Sequence, residues 1–236
     1  MLKRKITRYL EQHLVSASNK ILLVEGARQV GKSYVIREVG QRLFANYVEL
    51  NFVTDNEGVQ LFKNVHTVDE FYLRLSSVAG DRLGNYNDTL IFLDEIQCYP
   101  QYLTLLKFLR EEQKYRFIAS GSALGMALRH TTSIPVGSVI IKKMYPLDFE
   151  EFLWANNYGE NAISDLYNHF LNQQSLSKEQ HEQLLELFRR YLLVGGLPDV
   201  VNEYLATHNI LNVRNLQNAI AAMYEADASQ YENNAS

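Results

Sequence analysis

The sequence predicts an α/β protein of three layers, a parallel five-stranded sheet covered by helices on both faces, followed by a helical subdomain. Short apolar runs alternate with segments of helical periodicity up to about residue 145, a pattern typical of repeated strand–helix–strand units. After Pro146 the strand-like runs cease and helical spacing dominates. The 236 residues can bury a substantial core without disulfides or metals.

The individual elements follow from the spacing of apolar residues. Runs of three to six residues of mainly apolar character predict buried strands, and apolar residues three to four apart predict helices. The predicted strands are 21–24, 47–52, 90–93, 116–119 and 139–141. The predicted helices of this part are a leading helix 3–14 and helices 31–43, 58–79 and 102–113.

The second part of the chain is predicted to be a helical lid or subdomain, residues 148–236, after a core of residues 1–147. Helical periodicity covers 149–154, 163–170 and 178–194. Gly195-Gly196 ends the last of these helices, and Pro198 opens another, where its missing N–H is harmless.

Composition limits the possible partners and compartment. The net charge of −4 gives no overall attraction to nucleic acid or anionic membrane, and no apolar run approaches the ~20 residues that cross a bilayer. Cys98 is the single cysteine, so we expect a reducing, cytoplasmic location and a half-buried thiol without a redox role. The histidines lack metal-ligand spacing.

A phosphate-binding loop follows the first predicted strand. Residues 26–33 fit the pattern G-x-x-x-x-G-K-[ST] at every fixed position. Backbone N–H groups of such a loop converge on phosphate oxygens, Lys32 brings a positive charge to the terminal phosphates, and Ser33 offers a hydroxyl to Mg²⁺. The sequence therefore predicts binding of ATP with Mg²⁺. The predicted nucleotide-binding residues are Gly26, Ala27, Arg28, Gln29, Val30, Gly31, Lys32, Ser33 and Tyr34.

Two carboxylates end the third predicted strand. Asp94 and Glu95 come directly after four apolar residues, a position that is costly for charge unless it faces a site at the carboxyl edge of the sheet. We expect Asp94 to orient Mg²⁺ together with Ser33, and Glu95 to act as general base on water. We expect Lys32 to be the other catalytic residue. The acidic pair favours hydrolysis of the nucleotide, and hence an ATPase.

The fourth predicted strand ends in small polar residues. In the sheet order expected for ATPases with a glutamate base, 5-1-4-3-2, this strand lies between the loop strand and the acidic strand. Ser120 or Ser122 could then contact the γ-phosphate or hold the attacking water. Each serine could equally be an ordinary helix cap.

With these motifs the chain resembles a family of bacterial and archaeal AAA+ ATPases whose core is usually followed by an uncharacterised, nuclease-like C-terminal domain. The resemblance covers residues 20–201 and depends on segments 26–33, 93–97, 120–122, 145–153 and 191–198. The family often has a Gly-Arg pair before its last core strand, whereas this chain has Gly137-Ser138, with Arg129 as a nearby substitute. Family members are typically longer, which suggests a truncated chain or a degenerate member.

Three functions remain open at this point. The first is a Mg²⁺-dependent ATPase whose lid acts on an unknown protein or nucleic-acid target, and a homo-oligomer is an open option for it. Gly195-Gly196 could be its hinge, and Arg28 could contact nucleotide or a neighbouring subunit. The second is a regulatory switch with little turnover. The third is a small-molecule kinase with an acceptor pocket in residues 54–88. The guanine-selecting Asn-Lys-x-Asp pattern is absent, which supports ATP.

Overall fold

The computed structural model describes residues 2–122 and 137–233. The chain divides into two compact units. One is Lys5–Tyr145, and the other combines Pro146–Ser236 with Met1–Arg4. The first four residues, which the sequence placed with the core, therefore group with the helical unit.

All five strands of the first unit are parallel, in the order β2-β3-β4-β1-β5. This is the predicted order 5-1-4-3-2 counted from the other edge, and it confirms the predicted fold class. The strands are β1 Ile21–Glu25, β2 Asn46–Asn51, β3 Thr89–Asp94, β4 Arg116–Gly121 and β5 Val139–Lys143. Each lies within two residues of its predicted bounds, because a short apolar run bounded by polar residues marks a buried strand well.

Helices cover both faces of the sheet. They are α1 Lys5–Val15, α2 Lys32–Leu43, α3 Phe52–Glu57, α4 Val68–Ala79 and α5 Gln101–Glu112, with 3₁₀ turns at Gly80–Arg82 and Ile96–Cys98. On one face, strand residues such as Leu93 pack with Phe71 of α4 and Tyr102 of α5. On the other, Gly40 of α2 lies so close to Tyr47 and Leu90 that an added Cβ would come within 3 Å of both side chains.

The predicted helix 58–79 is wrong in its first half, since helix α4 begins at residue 68. Thr67 caps it by accepting from the Glu70 N–H, and the Glu70 carboxylate accepts a hydrogen bond from the Thr67 N–H. Before that cap, the Asp55 carboxylate accepts hydrogen bonds from the backbone N–H of Leu61 at 2.7 Å and of Phe62 at 3.0 Å. These contacts hold the segment in turns, although its apolar residues have helical spacing.

The second unit has helices and, within its described residues, no strand. Its helices are α6 Phe149–Ala155, α7 Glu160–Leu171, α8 Lys178–Val194, α9 Pro198–Thr207 and α10 Ile210–Asn233. Its main core is built from Leu147, Phe152, Val200, Tyr204 and Val213 with their neighbours. Arg4 joins the N-terminal residues to this unit through a buried ion pair with Glu151, at 3.2 Å.

The double glycine ends α8 as predicted, and the structure gives a separate reason for each residue. Gly195 caps the helix with φ 75°, a left-handed value that favours glycine. Gly196 lies against Leu147, whose N–H donates to the Gly196 carbonyl at 2.7 Å. A Cβ on Gly196 would be 2.1 Å from the Leu147 carbonyl oxygen. Only glycine allows the two backbones to approach this closely.

We predict that Gly196→Ala destabilises the helical unit by at least about 2 kcal/mol, because the new methyl group overlaps a backbone atom that cannot rotate away. Urea unfolding followed by the fluorescence of Trp154, the chain's single tryptophan, measures the loss in this unit. Gly159→Ala is the control, since nothing lies within 4 Å of its Cβ. We expect it to cost less than about 1 kcal/mol. Equal effects of the two changes would contradict the argument.

Candidate functional site

The two fixed glycines of the phosphate-binding loop are required for different reasons. Gly31 begins α2 with φ 91°, and Gln29 also has a positive φ of 61°, so that the loop turns sharply into the helix. Gly26 is needed for space, because its Cβ would be 2.3 Å from the Met144 carbonyl oxygen.

Lys32 folds back across the loop. Its ammonium group donates to the carbonyl oxygens of Gly26 at 3.0 Å and Ala27 at 2.9 Å. The side chain is buried, and burial lowers the pKa of Lys32, an effect that the carboxylates of Glu95 and Asp94 oppose. The loop therefore holds a largely desolvated cation whose present partners are two neutral carbonyls.

Asp94 is 2% exposed and accepts hydrogen bonds from four groups. Its Oδ2 atom accepts from Ser33 Oγ at 2.8 Å and Asn51 Nδ2 at 3.0 Å. Its Oδ1 atom accepts from the Glu95 N–H at 3.1 Å and from the Ser120 hydroxyl. Burial raises the pKa of Asp94, although the hydrogen bonds from Ser120 and Ser33 act in the opposite direction.

The carboxylate of Glu95 has different hydrogen-bond partners from the carboxylate of Asp94. Its backbone is left-handed, with φ 54° and ψ 48°, a conformation that is uncommon and strained for a residue other than glycine. Its Oε2 atom accepts from Ser122 Oγ at 3.0 Å and from the Gln97 side-chain amide. The same amide donates to Ser122 Oγ at 3.0 Å, while the buried Gln97 Oε1 has no hydrogen-bond partner in the part of the chain that the structure describes. We call Glu95, Gln97 and Ser122 the glutamate clamp.

The structure brings together the main residues that the sequence singled out: Lys32, Ser33, Asp94, Glu95, Ser120 and Ser122. The two serines contact different carboxylates, Ser120 that of Asp94 and Ser122 that of Glu95. Their contact with a γ-phosphate stays a prediction.

The remaining predicted nucleotide-binding residues differ in exposure. Val30 is fully buried, so only its backbone can face a ligand, and Tyr34 is 53% exposed on α2. Arg28 is half-buried and near enough to Lys32 to lower its pKa. Arg129 lies outside the described residues.

Sequence analysis assigned no role to Asn51 or Gln97. Asn51 ends β2, and the register pairs it with Asp94 on β3. The predicted sheet order and strand ends could have identified it. Gln97 lies in a 3₁₀ turn after Glu95, and its contact with Ser122 depends on a geometry that no sequence pattern specifies.

The residues present fit Mg²⁺ bound jointly with phosphate. Ser33 and Asp94 provide a hydroxyl and a carboxylate, the hard oxygen ligands that Mg²⁺ prefers, and Mg²⁺ usually keeps waters and phosphates as its other ligands. Among residues 2–122 and 137–233 there is no cluster of three His, Cys, Asp or Glu side chains that could hold a metal alone. Over the same ranges, no helix is long and apolar enough to cross a membrane.

Comparison with protein families shows to which family this chain belongs. Residues 18–153, more than half of the chain, match a family described as an AAA domain. The chain belongs to this AAA family. Residues 185–236 match a domain of unknown function. This match gives no support to the nuclease-like C-terminal domain that the resemblance led us to expect.

Several solved structures are similar to this AAA chain. The Aeropyrum pernix ORC1 protein in complex with DNA has a TM-score of 0.41 and 18% identity, over 64% of this chain and 46% of that one. C. elegans PCH-2 has a TM-score of 0.46 and 14% identity, over 89% of this chain and 63% of that one. AMPPCP-bound DnaA from Aquifex aeolicus has a TM-score of 0.46 and 14% identity, over 84% of this chain and 58% of that one. This chain thus spans less than two thirds of each, and no curated protein matches it.

We predict that Cys98 reacts slowly with iodoacetamide, although it lies close to the site. Burial, and next the negative charge of Glu95, raise the pKa of its thiol to about 11. At neutral pH this leaves about a hundredfold less thiolate than in an ordinary cysteine. Mass spectrometry of the alkylated protein at several pH values measures the rate, with the urea-unfolded chain as control. A native rate equal to the unfolded rate would contradict the prediction.

Proposed function

We propose that this AAA domain binds ATP with Mg²⁺ and hydrolyses ATP to ADP and phosphate. One observation carries the proposal. Lys32 of the loop, Asp94 bonded to Ser33, and Glu95 come together at one edge of the sheet, and Lys32 is close enough to both carboxylates for them to affect its pKa. A cation, a hydroxyl–carboxylate pair and a second carboxylate are the groups that phosphoryl transfer to water requires.

Binding uses the loop and the start of α2. The backbone N–H groups and the positive end of the helix attract phosphate oxygens. Lys32 exchanges its contacts with the carbonyls of Gly26 and Ala27 for contacts with phosphate oxygens. This exchange is favourable because a hydrogen bond between two charged groups is stronger than one to a neutral carbonyl.

Ser33 and Asp94 would hold the magnesium ion, which when bound would neutralise part of the charge that develops on the phosphates. Asn51 and Ser120 keep the Asp94 carboxylate in one orientation, because each donates a hydrogen bond to a different oxygen. The negative charge of Asp94 is thereby fixed before the nucleotide arrives.

Glu95 is the general base. Ser122 and Gln97 both donate to its Oε2 atom, and Oε1 is the atom that takes the proton. The water oxygen forms a bond to the γ-phosphorus as its O–H bond breaks and the proton moves to Oε1. The bond from the γ-phosphorus to the ADP oxygen then breaks, and ADP leaves with that electron pair.

The helical unit, residues 148–236 in the sequence interpretation, acts as a lid whose movement follows the nucleotide state. The left-handed Gly195 between α8 and α9 supports a hinge there, because such a residue joins two rigid helices through a single turn. The lid acts on a protein or nucleic-acid target in the cytoplasm, and a homo-oligomer would allow Arg28 to contact a neighbouring subunit.

A regulatory switch with little turnover is the second candidate. The glutamate clamp favours it, because two donors on one oxygen restrain the movement of the base. The two candidates differ in the turnover of the unmodified chain, not in nucleotide binding.

We predict that Glu95→Gln lowers kcat at least about 100-fold while ATP affinity changes little, since the amide keeps the shape but cannot accept the proton. Lys32→Ala should weaken ATP binding at least about tenfold through loss of the phosphate contact. Phosphate release and binding of a fluorescent ATP analogue measure the two effects.

Glu111→Gln, an exposed change on α5, is the control for these variants. Undiminished turnover in Glu95→Gln would refute the proposed base. Tight ATP binding without turnover in the unmodified chain would favour the switch. Transfer of phosphate to a small acceptor would favour the kinase.

We predict that Gln97→Ala and Ser122→Ala each lower kcat about tenfold with little change in KM, because they free the base while the phosphate-binding loop and the Asp94–Ser33 pair stay intact. Steady-state kinetics separates the two parameters. Gln41→Ala, exposed on α2, should leave both unchanged. If kcat rises instead, the clamp restrains the base and the switch is the better description.

A further inference from the structure

A second polar cavity lies at the edge of the sheet opposite the phosphate-binding loop. The strands are parallel, so their amino ends share one edge, and residues at the starts of β1 and β4 line this cavity. The end of α1, the end of α5 and the loop before β3 complete it. Its volume is about 20 Å³. The proposed ATPase mechanism uses none of its residues.

Positive charge is concentrated in this cavity. Lys20, Arg110 and Arg116 line it beside the His13 imidazole, and among residues 2–122 and 137–233 no carboxylate does. Within the described part of the chain, none of the four forms an ion pair. The whole chain has 27 Asp and Glu against 23 Lys and Arg, so carboxylates are not scarce. Like charges held together without a counterion repel one another, and an anion relieves that repulsion.

The two guanidinium groups are held in place by neutral partners. Arg110 donates from Nη1 to Ser138 Oγ at 3.1 Å, and its buried Nε has no hydrogen-bond partner among the described residues. Arg116 donates from Nη1 to the Ser16 carbonyl at 3.2 Å, and its guanidinium carbon lies 4.7 Å from the centre of the Tyr86 ring. A planar guanidinium fixed in this way presents its remaining N–H groups in the fork that suits oxyanions.

The pKa of His13 is sensitive to the positive charge of Arg116 in this cavity. Its Nε2 donates to the Lys20 carbonyl at 2.9 Å. Burial lowers the pKa of His13, and the charge of Arg116 lowers it further, while the hydrogen bond to Lys20 opposes both. An anion bound beside Arg116 would raise this pKa, so the imidazole provides a local signal of occupancy.

We propose that this cavity binds a phosphate group, with one oxygen inside the cavity and the rest of the group at its mouth. A volume of about 20 Å³ has room for about one water-sized atom. Lys20 is exposed and can neutralise the part of the phosphate that remains outside. The phosphate belongs either to a small molecule or to a nucleic-acid backbone, since both present the same tetrahedral oxyanion.

Titration with inorganic phosphate at constant ionic strength tests the site, with the His13 imidazole followed by NMR and assigned with His13→Gln. The phosphate-binding loop is removed from the measurement by the Lys32→Ala change, so the result does not depend on the proposed ATPase function. We expect a saturable His13 shift with phosphate and none with the same concentration of chloride. The absence of a saturable shift would overturn the proposal.

Variants locate the binding. Arg116→Gln and Arg110→Gln should weaken phosphate binding at least about tenfold, since each removes a charge-assisted contact. Lys114→Gln removes the same charge from an exposed position outside the cavity and should change binding less than about twofold. Equal weakening by all three would mean general screening and would overturn the proposal. If the arginine variants fail to fold, exposed Lys20→Gln decides by the same comparison with Lys114→Gln.

A short single-stranded oligonucleotide distinguishes the two sources of phosphate. A His13 shift at a lower concentration than inorganic phosphate requires, lost in Arg116→Gln, would support the phosphate site with a nucleic-acid backbone as its ligand. A shift with inorganic phosphate alone would support the site with a small molecule as its ligand. No shift with either would overturn it.

Discussion

The buried carboxylate of Asp94 connects the candidate site to the order of the strands in the sheet. Three of its four donors come from β2, β4 and α2, and the fourth is the backbone N–H of the next residue, Glu95. Burying a carboxylate is unfavourable unless its oxygens are hydrogen-bonded, and here each oxygen accepts two bonds. Asn51 and Ser120 can reach it from opposite sides only because β3 lies between β2 and β4. The order of the strands is therefore also the condition for a fully bonded Asp94.

Two adjacent residues serve different chemistry because the backbone turns between them. Asp94 ends β3 in extended conformation, whereas Glu95 is left-handed and sends its carboxylate toward Ser122 and Gln97. Ser120 and Ser122 at the end of β4 repeat this division, one on each carboxylate. The strained backbone of Glu95 thus separates a proposed metal ligand from a proposed base, which would otherwise compete for the same donors.

Local sequence patterns were sufficient for the features that depend on local physics. Apolar runs marked the five strands, and the loop motif together with the acidic pair gave their order and the main site residues. The failures arose from specific contacts that the spacing of apolar residues does not encode. The turns at 58–67 depend on the Asp55 carboxylate, the role of Asn51 on strand register, and the need for Gly196 on the Leu147 backbone. Hydrophobic periodicity contains no information about such pairings.

The close packing of Gly26 against Met144 has a consequence for judging related sequences. This glycine is needed by the fold even when no phosphate binds, because β1 and the residue that follows β5 could not otherwise lie together. A related protein that no longer binds nucleotide could tolerate substitutions at Lys32 or Glu95, but it would still need Gly26 for its fold. Half of the familiar loop signature can therefore survive in a protein that has lost its catalytic role. Whether a related sequence keeps the fold and whether it keeps the activity have to be judged from different residues of the same motif.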